Sequence, residues 1–215
     1  MIDVIALLLI SIWLLKIAFK IDIKKAEKLK ENKELQELTD KFPENVEIAK
    51  EMLGMLGNDK VKIEQGKNTE TSLYIAATDK IIIADMKNNY ARIQTIAHEC
   101  MHSVQDRRLL MFNFIFSNIN MLYLIVVAIL TITKVIQNTM LQAFILILFT
   151  LIKFAVRGFL EADAMTKSRY FAEKYIKTKK ILNNKETESL LEQYDEINKN
   201  ILTYTIKTKE VHKLF

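Results

Sequence analysis

The chain has 215 residues, half of them hydrophobic, with a net charge of +5 and a single cysteine. One cysteine excludes an internal disulfide and fits a reducing compartment. One proline and four glycines are too few for a loop-rich or all-β fold, so we expect mostly helix. The lysines are spread between apolar blocks and form no basic stripe interleaved with aromatics, which argues against nucleic-acid binding and suits a membrane protein.

The first predicted element is the apolar run VIALLLISIWLLKIAF at residues 4–19. Together with the three residues before it, the run is just long enough to cross about 30 Å of hydrocarbon as a helix. A cleaved signal peptide would have basic residues before the run and small residues at a cleavage site. This run instead has Asp3 before it and KIDIKK after it. We therefore predict an uncleaved transmembrane anchor over residues 1–19.

Residues 20–108 carry the next group of elements. After a charged helix, FPENVEIAKEMLGMLGN places apolar residues near a spacing of 3.6, which predicts an amphipathic helix. Three runs rich in β-branched residues predict a small sheet: VKIEQ (61–65), SLYIAA (72–77) and KIIIAD (80–85). A helix over NYARIQTIAHECMHSVQDRR, residues 89–108, completes this segment.

Two further apolar blocks follow, separated by little more than Lys134, and predict a transmembrane hairpin over residues 109–156. Apolar runs of this length seldom form the core of a soluble protein. Basic residues lie after the first span and at the outer ends of the hairpin. By the positive-inside rule, residues 20–108 and the predicted helices of 157–215 are then both cytoplasmic.

His98 and His102 stand four residues apart in AHECMHSVQD, with Glu99 directly after the first. On an α-helix they share one face about 6 Å apart along the axis, so both imidazoles can bind one metal ion. Glu99 lies about 100° around the helix, where it can take a proton from an attacking water and pass it to the leaving amine. This is the H-E-x-x-H pattern of zinc metalloproteases. The alternative is a helix that carries two surface histidines without a metal.

A site with two histidines needs a third protein ligand, while the fourth place is kept for water. The best candidate is Glu161 in RGFLEADAMTK, just past the hairpin, and Asp163 is its rival. An ordinary place on a helix surface is the alternative for either acid. Asp106 continues the four-residue series, but the helix separates it from His98 by about 12 Å. Hydrogen-bonded support of a ligand, or plain solvation, therefore suits Asp106 better than metal binding.

The series TIAHECMHSVQD, two apolar spans, LEADA and a late LTYT resembles the YugP-type neutral zinc metallopeptidases of bacterial membranes. A looser resemblance extends to the HtpX and CAAX prenyl proteases. YugP-type members commonly read H-E-V-G-H-A-I-Q, followed after the hairpin by E-x-D-A. The resemblance implies that His98, His102 and Glu161 bind Zn²⁺. It also implies that Glu99 is the catalytic acid and base, and that Asp163 supports a ligand.

Two features depart from that family pattern. Met101 replaces the usual glycine, and the charged end TIKTKEVHKLF stands where family members often have another apolar helix. The fold we expect is a mainly α membrane protein with a small β-sheet and about three transmembrane helices. Its catalytic core is expected to be zincin-like, with the sheet packed beside the H-E-x-x-H helix.

The function we expect is a zinc-dependent endopeptidase, multi-pass in the bacterial cell membrane, with its site on the cytoplasmic side. Its expected partners are the lipid bilayer and a peptide or membrane-protein substrate, and no nucleic acid. The substrate is predicted to pair along an edge of the 61–85 sheet, at Leu73, Tyr74 and Ile75. The alternative is a non-catalytic membrane scaffold or regulator with a vestigial or structural metal site.

Overall fold

The computed structural model describes residues 32–66, 71–86, 89–136 and 138–201, with side chains up to residue 198. The described part is mostly helical and contains one small sheet, as the composition predicts. Its elements in chain order are α1 (Lys33–Asp40), α2 (Asn45–Met55), β1 (Lys62–Gln65), β2 (Leu73–Ile75), β3 (Lys80–Ile83), α3 (Arg92–Ser103), α4 (Arg107–Ile132), α5 (Thr139–Lys179) and α6 (Asn184–Ile201). The predicted anchor at 1–19 and the LTYT stretch lie outside the described residues.

One compact unit includes residues 106–161, which hold α4 and the first half of α5. Each helix contains an 18-residue window of high mean hydropathy, 2.2 in α4 and 2.1 in α5. None of the α4 window and 17% of the α5 window is buried, so most of these apolar side chains face outward. Both helices are long and apolar enough to cross a membrane, and together they cover the predicted hairpin at 109–156.

The surfaces that α4 and α5 turn toward each other are aromatic and partly polar. The ring centroid of Phe149 lies 5.3 Å from that of Phe116 and 5.5 Å from that of Tyr123. The Tyr123 hydroxyl donates a hydrogen bond to Gln142 Oε1 at 2.5 Å. The pairing gives both polar side chains a partner within the hairpin, as a membrane-spanning segment would require.

The other compact unit combines the described residues before 106 with those after 161. Its sheet has the strand order β1-β3-β2. β1 runs parallel to β3, whereas β2 runs antiparallel to β3 with Tyr74 opposite Ile81. Ile81 and Ile83 of the central strand are completely buried. The strands fall within the three β-like runs of the sequence, and β2 lies at an edge among the described strands.

Helix α3 lies in the core of this second unit. Its buried apolar side chains are Ile93, Ile96, Ala97, Cys100 and Met101. They pack in one cluster with α2, with the sheet, with the second half of α5 and with α6. These side chains share one face of α3, within an arc of about 140° at 100° per residue, so turning the helix about its own axis would expose them.

A buried arginine joins the start of α3 to the connection between α1 and α2. Arg92 is 4% exposed. Its guanidinium donates hydrogen bonds to the carbonyl oxygens of Thr39 (2.5 Å), Phe42 (2.9 Å) and Pro43 (2.8 Å) and to Asn45 Oδ1 (2.8 Å). Burial lowers the pKa of the guanidinium, and the nearby Asp40 carboxylate opposes that shift. Arg92 therefore anchors the first turn of α3 while satisfying backbone carbonyls at the end of α1.

The segment predicted as a single helix over residues 89–108 is in fact two helices. α3 ends at Ser103, and α4 begins after Asp106. Asp106 Oδ1 accepts hydrogen bonds from the backbone N–H groups of Arg108 (2.7 Å) and Leu109 (3.3 Å). Aspartate is among the strongest helix N-caps, and here this local signal overrides the helical periodicity that continues through it.

Helix α5 shows the opposite difference, because the predicted third span and the predicted helix after it form one element. The helix runs without interruption for 41 residues. Its second half enters the core of the second unit through Ala164, Ser168 and Ala172, each fully buried. Glu161 and Asp163 therefore lie on one unbroken helix, on different faces.

Candidate metal centre

The two histidines of α3 face each other across one helical turn. His98 Nε2 and His102 Nε2 lie 3.1 Å apart, and the ring planes meet at 85°. Two ligands of a tetrahedral ion with bonds of about 2.1 Å lie about 3.4 Å from each other. The imidazoles thus present their Nε2 atoms at nearly the spacing that one ion requires.

Glu161 provides the third candidate ligand. One ligand atom each from His98, His102 and Glu161 can be chosen so that all three lie within 4.8 Å of one another. Glu161 stands three residues before Ala164, which is buried in the same hydrophobic cluster as α3. The unbroken helix explains how a residue so distant in sequence reaches the histidines. This group could hold a metal ion.

The chemistry of the donor set narrows which ions fit. Two imidazole nitrogens and one carboxylate oxygen suit a transition ion, whereas Mg²⁺ and Ca²⁺ favour oxygen donors alone. Arg157 Nε lies 3.6 Å from Glu161 Oε1 in a solvent-exposed pair. Such a pair contributes little free energy, so it opposes metal binding by Glu161 only weakly.

Glu99 is buried beside the histidines and is bonded to the sheet. Glu99 is 7% exposed. Its Oε2 atom accepts a hydrogen bond from the Tyr74 backbone N–H at 2.6 Å. A buried carboxylate requires such a donor to offset its lost hydration. The bond also means that the Tyr74 N–H points toward α3 and away from β3. Glu99 therefore joins the helix that carries both histidines to the edge strand.

A chain of hydrogen bonds leads away from the other side of the His102 ring. His102 Nδ1 lies 2.8 Å from Gln105 Oε1, and Gln105 Nε2 donates to Asp163 Oδ2 at 2.9 Å. Lys167 Nζ lies 2.7 Å from Asp163 Oδ1. Asp163 thus contacts Gln105, which in turn contacts the ring of His102, a candidate metal ligand. No residue pattern assigned a role to Gln105, although the pattern H-E-V-G-H-A-I-Q of the peptidases that the sequence resembles has a glutamine at this place.

The remaining candidate residues occupy defined places. Asp106 caps α4, and its described hydrogen bonds involve backbone N–H groups there. Cys100 is fully buried with Sγ 4.0 Å from the Ala49 carbonyl oxygen, and burial raises the pKa of its thiol. Met101 is 5% exposed and packs in the core. Leu73, Tyr74 and Ile75 make up β2, and Leu73 is 55% exposed.

No protein-family model, curated protein or solved structure matches this chain. What the site can do chemically is therefore inferred from its own side chains. Two imidazoles and a carboxylate can coordinate one ion. A further carboxylate, that of Glu99, follows His98 on the same helix and accepts a hydrogen bond from the edge strand of the sheet.

Replacing Glu161 should weaken zinc binding more than replacing Asp163. Glu161→Ala removes a ligand and is expected to raise the dissociation constant for zinc by about tenfold or more. Asp163→Ala should have a smaller effect, because Asp163 contacts Gln105 instead of the ion. Competition with a chromophoric chelator measures both constants, with the exposed Glu188→Ala on α6 as a control expected to match the parent. A larger loss for Asp163→Ala than for Glu161→Ala would reverse the assignment.

Proposed function

We propose that this chain is a membrane-anchored, zinc-dependent endopeptidase. The observation that carries the proposal is the convergence of His98, His102 and Glu161 within 4.8 Å, with Glu99 adjacent on the same helix as the histidines. An H-E-x-x-H peptidase needs two histidines and one acid that hold an ion, and a second acid that need not bind it. The resemblance of the sequence to YugP-type metallopeptidases supports the same conclusion.

Zn²⁺ is the ion that we propose for the site. His98 and His102 would hold it through Nε2, and Glu161 through a carboxylate oxygen. When bound, zinc would polarise the scissile carbonyl group and lower the pKa of water at its open position. The mixed nitrogen and oxygen donors, with one place left for water, match catalytic zinc sites better than closed structural ones.

Glu99 is proposed to carry the proton in peptide hydrolysis. Its carboxylate can accept a proton from the water that attacks the peptide carbonyl. It can then deliver that proton to the amine nitrogen, which must be protonated before it leaves. The contact with the Tyr74 N–H holds the carboxylate at the sheet edge, where a peptide paired with β2 would pass.

An extended peptide, free or part of a membrane protein, is the proposed substrate. A strand added along β2 would present its carbonyl groups through main-chain pairing, without needing a particular side-chain sequence. Tyr74 turns its N–H away from β3, where Glu99 accepts it, so a peptide that pairs with β2 would take over this donor and free the Glu99 carboxylate for proton transfer. The exposed Leu73 offers an apolar contact on the same strand.

A multi-pass position in the bacterial cell membrane is proposed, with the site on the cytoplasmic side. α4 and α5 have the length and apolar composition to cross the bilayer. Arg107, Arg108 and Arg157 lie at one end of the hairpin and Lys134 at the other. This imbalance favours the arginine end for the cytoplasm. The zincin-like arrangement of sheet and helix belongs to the same proposal.

A non-catalytic scaffold is the second candidate, and one observation favours it. Glu99 is buried and ties α3 to β2, so the residue has a structural use that needs no catalysis. A scaffold would need only the acceptor oxygen that holds the Tyr74 N–H. An enzyme needs an oxygen that also binds a proton.

Glu99→Gln separates the two candidates, because the amide keeps an acceptor oxygen for Tyr74 but cannot serve as a base. We expect this variant to keep its thermal stability and its zinc, and to lose peptide cleavage by a factor of about 100 or more. The measurements are the melting temperature and zinc content in detergent, and cleavage of an unstructured protein such as casein.

Glu99→Ala is the matched control, because it removes both the acceptor and the base. It should lower the melting temperature as well as abolish cleavage, since the loss of a charge-assisted hydrogen bond costs about 1.5–3 kcal/mol. Undiminished cleavage by Glu99→Gln would rule out the assigned catalytic role.

The edge-strand proposal predicts a local change in amide exchange. A peptide hydroxamate, which binds zinc through its hydroxamate and offers a main chain for pairing, should slow hydrogen exchange in residues 73–75. The outer strand β1, residues 62–65, is an internal control and should exchange at an unchanged rate. Protection of β1 instead of β2, or of neither strand despite bound inhibitor, would contradict pairing along β2.

A further inference from the structure

In the hydrogen-bond chain from His102 through Gln105 to Asp163 and Lys167, the side-chain types determine which atom donates and which accepts at each step. Lys167 can only donate, and an ionised carboxylate can only accept. Asp163 therefore accepts from Lys167 through Oδ1 and from Gln105 through Oδ2. The Gln105 side chain must then direct its amide nitrogen to Asp163 and its carbonyl oxygen to His102.

That orientation determines which nitrogen of His102 carries the proton. A carbonyl oxygen only accepts, so the Nδ1 atom 2.8 Å away must donate. A neutral imidazole with its proton on Nδ1 has its lone pair on Nε2. Nε2 is the atom that faces His98, at the position where an ion would bind.

We propose that Gln105 is a positioning residue of the metal centre, which fixes the tautomer and the ring orientation of His102 so that Nε2 is the donor atom. The inference rests on the metal-binding role proposed above. Partners of this kind raise the basicity of a ligating imidazole and hold its ring in place. Gln105 itself makes no contact with the ion in this account and acts only through His102. Asp163 and Lys167 act one contact further away, by holding the Gln105 amide.

The end of α3 is also held by Asn58. A variant of Asn58 can therefore separate loosening of this helix end from loss of the His102–Gln105 bond. Asn58 Nδ2 donates to the Ser103 carbonyl oxygen at 3.0 Å and to Ser103 Oγ at 3.1 Å. Asn58 therefore secures the same helix end from a different side, without touching the His102 ring. Asn58→Ala is a matched control that loosens this end of α3 and leaves the Gln105 bond in place.

The first test compares Gln105→Met with Asn58→Ala in the full-length protein. Methionine fills a similar volume but can neither accept from Nδ1–H nor donate to Asp163. We expect Gln105→Met to raise the dissociation constant for zinc by about 10- to 100-fold. Asn58→Ala should bind zinc like the parent even if its melting temperature falls. Equal weakening by both variants, or none by Gln105→Met, would overturn the proposal.

The second test reverses the polarity of the chain. Q105E alone sets two carboxylates against each other and should weaken zinc binding. Adding D163N supplies an amide donor for the new carboxylate, which can then accept from His102 Nδ1–H. The double variant should therefore bind zinc more tightly than Q105E alone. Additive losses in the double variant would contradict a role that depends on this hydrogen-bond chain.

The third test observes the tautomer directly and needs neither zinc nor substrate. Nitrogen-15 NMR of the chelator-treated, histidine-labelled full chain resolves three histidines, which His98→Gln and His212→Gln assign. His102 should be protonated on Nδ1 in the parent and shift toward the Nε2–H form in Gln105→Met. A parent His102 protonated on Nε2 would refute the proposal. Because this readout is independent of cleavage, its failure is distinguishable from failure of the proposed peptidase activity.

Discussion

The burial of α3 is the constraint on which the candidate site depends. Its apolar side chains pack against the sheet, α2, α5 and α6, so the helix cannot rotate without exposing core residues. Arg92 fixes its first turn through hydrogen bonds to the connection between α1 and α2. With the rotation set, His98 and His102 share the one face left for a ligand. The same core holds α5 just beyond Glu161, the third member of the group that could hold a metal ion.

Glu99 shows how structural and chemical roles can share one carboxylate. Its hydrogen bond to the Tyr74 N–H joins the helix of the metal centre to the edge strand, and burial makes that bond costly to lose. In the proposed reaction a peptide that pairs with the strand takes over the Tyr74 N–H, and the released carboxylate accepts a proton beside it. The fold thereby holds the carboxylate in one position before any substrate binds, as rigid surroundings generally do for catalytic groups.

The sequence was sufficient to predict the helical fold, the three strands, the two apolar helices and the group of two histidines with Glu161. The helices, the strands and the histidine pair follow from periodicity, composition and residue spacing, which are local properties. Glu161 followed instead from the charge pattern that puts both ends of the hairpin on one side, and from the family resemblance. The break at Asp106 was missed because helical periodicity continues through a capping residue. The Arg92 and Gln105 contacts join residues far apart in sequence, so only the tertiary structure reveals them. The tyrosine N–H that binds Glu99 is a backbone group, invisible to any residue pattern.

The most direct test of the account is the metal content and coordination of the purified full-length protein. Elemental analysis should find about one zinc per chain, because two histidines and a carboxylate suit that ion. X-ray absorption at the zinc edge should show two imidazole nitrogens and oxygen ligands at about 2.0–2.2 Å. A protein that carries no zinc and takes none up would contradict the account. So would bound zinc whose coordination is unchanged when both His98 and His102 are replaced.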